Sequence, residues 1–178
     1  MPSVLDHLPE VLVDHAHLER KAATTSINLE KYRDLYPHVD ALNAIAIEEL
    51  QHFQLMLALL KKRGIDFGQP YPSLWISGLM RSVRHGCKGQ AIDHLLCCAL
   101  IEGRSCEKFQ RLAEGLKDRD PELATFYGSL VESEGNHYAT YLLLAQGINR
   151  PETDDRLDFY LDLDASLIRQ PRLHHTLH

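Results

Sequence analysis

The chain has 178 residues, 44% hydrophobic and 25% charged, with a formal net charge of −6. These values fit one globular domain with a sizeable core and exclude a disordered chain. The acidic balance argues against a general polyanion binder but leaves room for a local basic patch. No apolar run approaches the roughly 18–20 uncharged residues of a membrane span, and the start, MPSVLDHLPEVLVDH, lacks the basic stretch and apolar core of a secretory leader.

Helical periodicity dominates, and no segment sustains a period of two with β-branched enrichment. The pattern predicts a first helix over Pro9–Asp34, closed by the Leu35-Tyr36-Pro37 break. A second runs over Val39–Arg63 and stops at Gly64, a natural left-handed cap. The turn formers of IDFGQPYPS make Ile65–Ser73 a loop, and a short helix is expected over Leu74–His85. A third long helix spans Gln90–Leu116. Pro121 suits the first position of a fourth that reaches Gly147, and a last helix covers Pro151–Ile168. The tail PRLHHTLH, from about residue 170, reads as loose, and its His174, His175 and His178 are given no function. Four long helices with one long crossover carrying a short helix, plus a C-terminal helix, describe a single ferritin-like four-helix bundle over residues 1–178. Cys87, Cys97, Cys98 and Cys106 crowd into one short stretch, a poor framework for stapling. They read as reduced thiols of a cytoplasmic protein.

Each long helix carries a carboxylate on its apolar stripe. Glu19 shares a face with Val13, Ala16, Ala23 and Ile27; Glu49 and His52 share one with Leu42, Ile45, Phe53 and Met56. Glu102 lies among Leu95, Cys98, Cys106 and Phe109, while Glu134 and His137 lie among Phe126, Leu130, Tyr141 and Leu144. Burying one unpaired carboxylate costs several kcal/mol, and four would repel each other, against a net stability of about 5–15 kcal/mol. Divalent cations remove both difficulties. Glu19 and Glu49 bracket one interhelical turn evenly, and Glu102 and Glu134 bracket another, so the chain repeats one pattern: Glu, then Glu-x-x-His. Residues i and i+3 share a helix face, so the Glu and His of EELQH and of SEGNH can serve one metal cluster. Glu19, Glu49, His52, Glu102, Glu134 and His137 are the expected ligands. Iron and manganese both accept this donor set.

These segments resemble the tRNA hydroxylase family that acts on 2-methylthio-isopentenyl-adenosine (MiaE-like). The likeness rests on DH and KAA around Glu19, EELQHFQLML, GLMRSVR, IEGRSCEKF and SEGNHYATYLLLA, over roughly residues 12–148. IEGRSCEKF is the most specific of them. The resemblance implies an O2-dependent monooxygenase with two iron ions, which hydroxylates the isopentenyl group of a modified adenosine in the tRNA anticodon loop. It also implies an external electron donor such as a ferredoxin or reductase, since nothing resembles a flavin or nicotinamide site. The chain is expected to be a monomer or dimer. The alternatives are a ferritin-like di-iron oxidase or peroxidase acting on a small molecule, an iron-binding protein, or a metal-free helical module.

A tRNA enzyme needs a basic footprint. Arg81, Arg84, His85 and Lys88 at the end of the crossover helix can serve, or can form an ordinary solvated helix end. Arg104, Lys108 and Arg111 read as a solvated face. His15, one turn before Glu19, reads as a hydrogen-bonding neighbour of the site or as packing, and Cys98 and Cys106 as core filler. Tyr138 and Tyr141 are expected beside the site or in the core.

Overall fold

The computed structural model describes residues 6–169 and Leu177, and every regular element among them is helical. The expected loose tail, with His174, His175 and His178, lies outside the described residues apart from Leu177. Two compact units can be distinguished, one of residues 6–74 with Leu177 and one of residues 75–169.

The first unit is built on α1 (Leu8–Leu29) and α2 (Val39–Lys62). Pro9 sits in the first turn of α1, where its missing N–H costs nothing. Val11, Leu12, Ala16 and Ala23 form the buried stripe of α1, and Leu42, Ile45, Met56 and Leu60 that of α2. Ser26 ties the two helices by donating to the Leu42 carbonyl at 2.8 Å. α1 ends at Leu29, five residues earlier than its sequence predicts. From there the amides of Glu30, Tyr32 and Leu35 bond three residues back, and a 3-10 helix over Arg33–His38 follows. This tighter winding tucks Leu35 completely out of solvent, which outweighs α-helical continuation toward Pro37. Ile27 is 48% exposed rather than on the buried stripe. The end of α2 is as expected. Gly64 has φ +65°, its amide bonds Lys61, and the Ile65 amide bonds Leu60, which together form a Schellman cap.

The second unit comprises α3 (Leu74–Arg81) from its second residue on, α4 (Gln90–Leu116) and α5 (Pro121–Ile168). α3 is four residues shorter than expected because the Arg84 amide bonds the Asp93 carboxylate at 2.9 Å instead of continuing the helix. α5 starts as expected: Pro121 is in its first turn and the Asp120 side chain accepts from the Leu123 amide at 3.1 Å. The expected break between Gly147 and Pro151 is present. Asn149 leaves the helix (φ −161°, ψ 99°), and its side chain accepts the Glu152 amide at 3.3 Å, capping the segment 150–168. Pro151 lacks the N–H to bridge that point and its ring would clash with the preceding turn.

Candidate metal centre

In the first unit α1 presents Glu19, and α2 presents Glu49 and His52 one turn apart. All three are buried, at 4%, 0% and 8% exposure. One ligand atom from each lies within 4.8 Å of the others. His52 Nδ1 stands 3.7 Å from Glu19 Oε2 and 3.7 Å from Glu49 Oε2. Behind Glu19, the fully buried His15 places Nε2 against Glu19 Oε1, so the expected hydrogen-bonding role of His15 is realised. The charges follow from these contacts. Burial pushes the Glu19 carboxyl up, but attraction to His15 and hydrogen bonding with Glu49, His15 and His52 outweigh it and hold the group well below the usual carboxylate range. Burial alone would favour neutral His52, yet Glu19 and Glu49 reverse the balance and push the imidazole up to about 10. Without a metal, this cluster therefore takes up a proton as its cation.

The second unit repeats the pattern. Glu102 on α4 and Glu134 and His137 on α5 are buried, and one ligand atom from each lies within 4.8 Å of the others. The Tyr138 ring lies against the backbone of Gly103, where an added Cβ would come within 3.2 Å of it, so the neighbours of two candidate ligands interlock. Tyr141 is buried in the core. Cys98 is buried too, and burial, with Cys97 and Glu102 adding, pushes its thiol well up. Cys106 is half-buried, with its thiol directed at the Val131 carbonyl. Protonated thiols of this kind are fillers rather than ligands. Oxygen and imidazole donors clustered away from solvent fit divalent iron or manganese in chemistry as well as in proximity.

The basic residues separate. Arg81 and Lys88 are exposed. Arg84 is committed inward: Nε and Nη2 each donate to Asp93 at 2.9 Å, and Nη1 donates to Glu152 at 2.8 Å. Arg156 donates to the same fully buried Asp93 from Nε at 2.9 Å and from Nη2 at 3.0 Å. The sequence did carry a sign of this network, since Asp93 interrupts the apolar run of AIDHLLCCAL as Glu102 interrupts its own stripe. Arg104 corrects another expectation. It pairs with the buried Asp164, which also accepts from Trp75 Nε1 at 2.9 Å, and so belongs to an interior link rather than a solvated face.

An all-helical chain with Glu and Glu-x-x-His buried in each of two helical hairpins is of the ferritin-like class. The fold comparison agrees. The structure matches "Protein 43 with aldehyde deformylating oxygenase activity" from Synechococcus with a TM-score of 0.89 and 34% identity, covering 97% of this chain and 88% of that one. Residues 3–178 match the family described as tRNA-(MS[2]IO[6]A)-hydroxylase (MiaE), and the chain belongs to that family. It is similar to the tRNA 2-(methylsulfanyl)-N(6)-isopentenyladenosine(37) hydroxylase of Pseudomonas putida, at 39% identity over 136 residues, and to that of Salmonella typhimurium, at 37% over 133. These matches cover 76% and 75% of this chain. The chain spans 65% of the first relative's length and 48% of the second's. No helix among the described residues is long and apolar enough to cross a membrane.

Proposed function

We propose that this chain is an O2-dependent di-iron monooxygenase that hydroxylates the isopentenyl group of 2-methylthio-isopentenyl-adenosine in the anticodon loop of tRNA. The observation that carries the reading is the repeated burial of Glu with Glu-x-x-His in a member of this family. Glu19, Glu49 and His52 from one hairpin and Glu102, Glu134 and His137 from the other would hold two iron ions. When bound, the iron supplies the activation of O2 and the transfer of one oxygen atom into a C–H bond.

The chain's own residues do the remaining work. The six side chains supply a donor set of oxygen and imidazole. His15 fixes the orientation of Glu19 by holding one carboxylate oxygen, the supporting role that partners of ligands generally play. The Tyr138–Gly103 contact does the same for the α4 and α5 backbones beside Glu102 and His137. Burial of all six keeps bulk water from the donors. Arg81 and Lys88 are the proposed phosphate contacts, while Arg84 contributes through the fold. An external ferredoxin or reductase would supply electrons, and the cytoplasm, where tRNA resides, is the proposed location.

The test begins with iron content after anaerobic loading, where about two per chain are expected and Glu102→Ala should hold none stoichiometrically. The pre-reduced enzyme is then given prenylated tRNA and heavy-isotope O2. One added, labelled oxygen on the prenylated nucleoside is the expected product. Label from water, or no product from fully loaded enzyme, would overturn the assignment and favour a small-molecule oxidase.

A further inference from the structure

The loop between α2 and α3 returns to the ligand-bearing stretch of α1. His17 and Arg20 flank Glu19 on α1, and Phe53 directly follows His52 on α2. Phe67, from the loop, stacks on the His17 ring with centroids 4.2 Å apart and planes at 24°. Phe53 lies tilted against the Phe67 ring, with centroids 5.6 Å apart. His17 is 3% exposed and its Nε2 donates to the Gly68 carbonyl at 2.7 Å, which pins the loop. The His17 Nδ1 accepts from Arg20 Nη2 at 3.2 Å, so both ring nitrogens are engaged and the tautomer is set. Arg20 also places its guanidinium carbon 5.8 Å from the Phe67 centroid.

The unusual element is Phe67. Its neighbours hold it in place, yet 38% of its surface remains in solvent, with the exposed cations of Arg20 and Lys21 on the adjoining helix. A fixed, half-open aromatic ring beside a guanidinium is the chemistry that recognises an unstacked base of a single-stranded RNA loop. The ring takes the base face, and the cation takes the flanking phosphate or stacks in turn. Loop packing alone accounts for His17 and Phe53 but not for the open ring with the arginine beside it. The acidic net charge makes a local cation of this kind more informative than it would be on a basic surface.

We infer that Phe67, held by His17 and flanked by Arg20, is the stacking platform for a purine base of the target RNA loop; Arg20 directly follows the candidate ligand Glu19, and Phe53, whose ring meets that of Phe67, directly follows His52. The inference rests on the functional reading above and adds the residues that recognise its substrate. It is tested with a synthetic anticodon stem-loop carrying the prenylated adenosine, by fluorescence anisotropy for binding and by separate KM and kcat for turnover. Phe67→Ala should raise Kd and KM about tenfold, the scale of one lost base–aromatic stack, and leave bound iron unchanged. Phe67→Trp should restore affinity, which a merely structural loop role would not predict. Arg20→Ala should weaken binding and flatten its salt dependence by about one unit of slope. If iron-loaded wild type binds and hydroxylates the stem-loop while Phe67→Ala binds it equally well, the platform is wrong and the function stands. If iron-loaded wild type neither binds nor hydroxylates it, the functional reading falls and takes the platform with it.

Discussion

Arg84 and Arg81 lie three residues apart at the same end of α3, yet truncating them should have opposite consequences. Arg84→Ala removes two 2.9 Å hydrogen bonds from Asp93, a 2.8 Å bond to Glu152 and a 3.2 Å bond to the Gly89 carbonyl. Asp93 is fully buried and, among the described residues, keeps Arg156 and the residue 84 amide as its side-chain partners. Breaking a buried ion pair from one side costs about 3–5 kcal/mol, and the surviving Arg156 contact places this case near the lower end. For a chain of this size about 3 kcal/mol corresponds to roughly 6–12 °C in melting temperature. Arg81→Ala, at an exposed position, should change stability by no more than about 0.5 kcal/mol. Its effect should appear instead in tRNA affinity at low salt, where phosphate contacts are strongest. Thermal melts followed by circular dichroism, with binding measured well below both midpoints, separate the two. The pH dependence is a further check. Burial pushes Asp93 up, but the hydrogen bonds from Arg84, then those from Arg156 and the Arg84 amide, hold it below the ordinary carboxylate value of 3.8. A depressed folded value means stability present above about pH 4 and lost as pH falls through the folded value, so the gap between wild type and Arg84→Ala should shrink in acid. An Arg84→Ala protein melting within about 2 °C of wild type at neutral pH would refute the argument.

Three more predictions concern the proposed metal centre and its surroundings. Uptake of ferrous iron by the metal-free protein near pH 7 should release protons, because His52 is held protonated up to about 10 and a ligating imidazole must be neutral. Apparent affinity should then rise up to about tenfold per pH unit between pH 7 and 9, and calorimetry in two buffers of different ionisation heat that finds no proton release would contradict it. For the metal-free chain, the same raised value contributes stability that is complete below about pH 6.5 and lost as pH climbs toward 10, so alkaline melts should show metal-free protein weakening while loaded protein holds. Gly103→Ala should fail to deliver the full helix-propensity benefit of about 1 kcal/mol, since the new Cβ meets Tyr138 at 3.2 Å; a melting temperature raised by about 2–4 °C would show that the ring yields freely.

Local chemistry was enough to place much of this molecule from its sequence. The Gly64 cap, the start of α5 at Pro121 and the break between Gly147 and Pro151 are set by residues within a turn of one another, so a one-dimensional reading finds them. The candidate ligands were legible for a different local reason: a carboxylate on an apolar helical stripe has no cheap explanation without a cation, and each of the six is indeed buried. What the tertiary structure decided depends on partners distant along the chain. α3 stops at Arg81 because Asp93 captures the Arg84 amide, and that carboxylate also turns an apparent phosphate contact into a structural one. α1 stops at Leu29 because Leu35 must be buried, and His17 looks like an ordinary helix residue until Gly68, 51 positions later, takes its proton donor. A side chain's spacing reveals the face it occupies, but its function depends on which opposite group arrives there, and only folding brings that group.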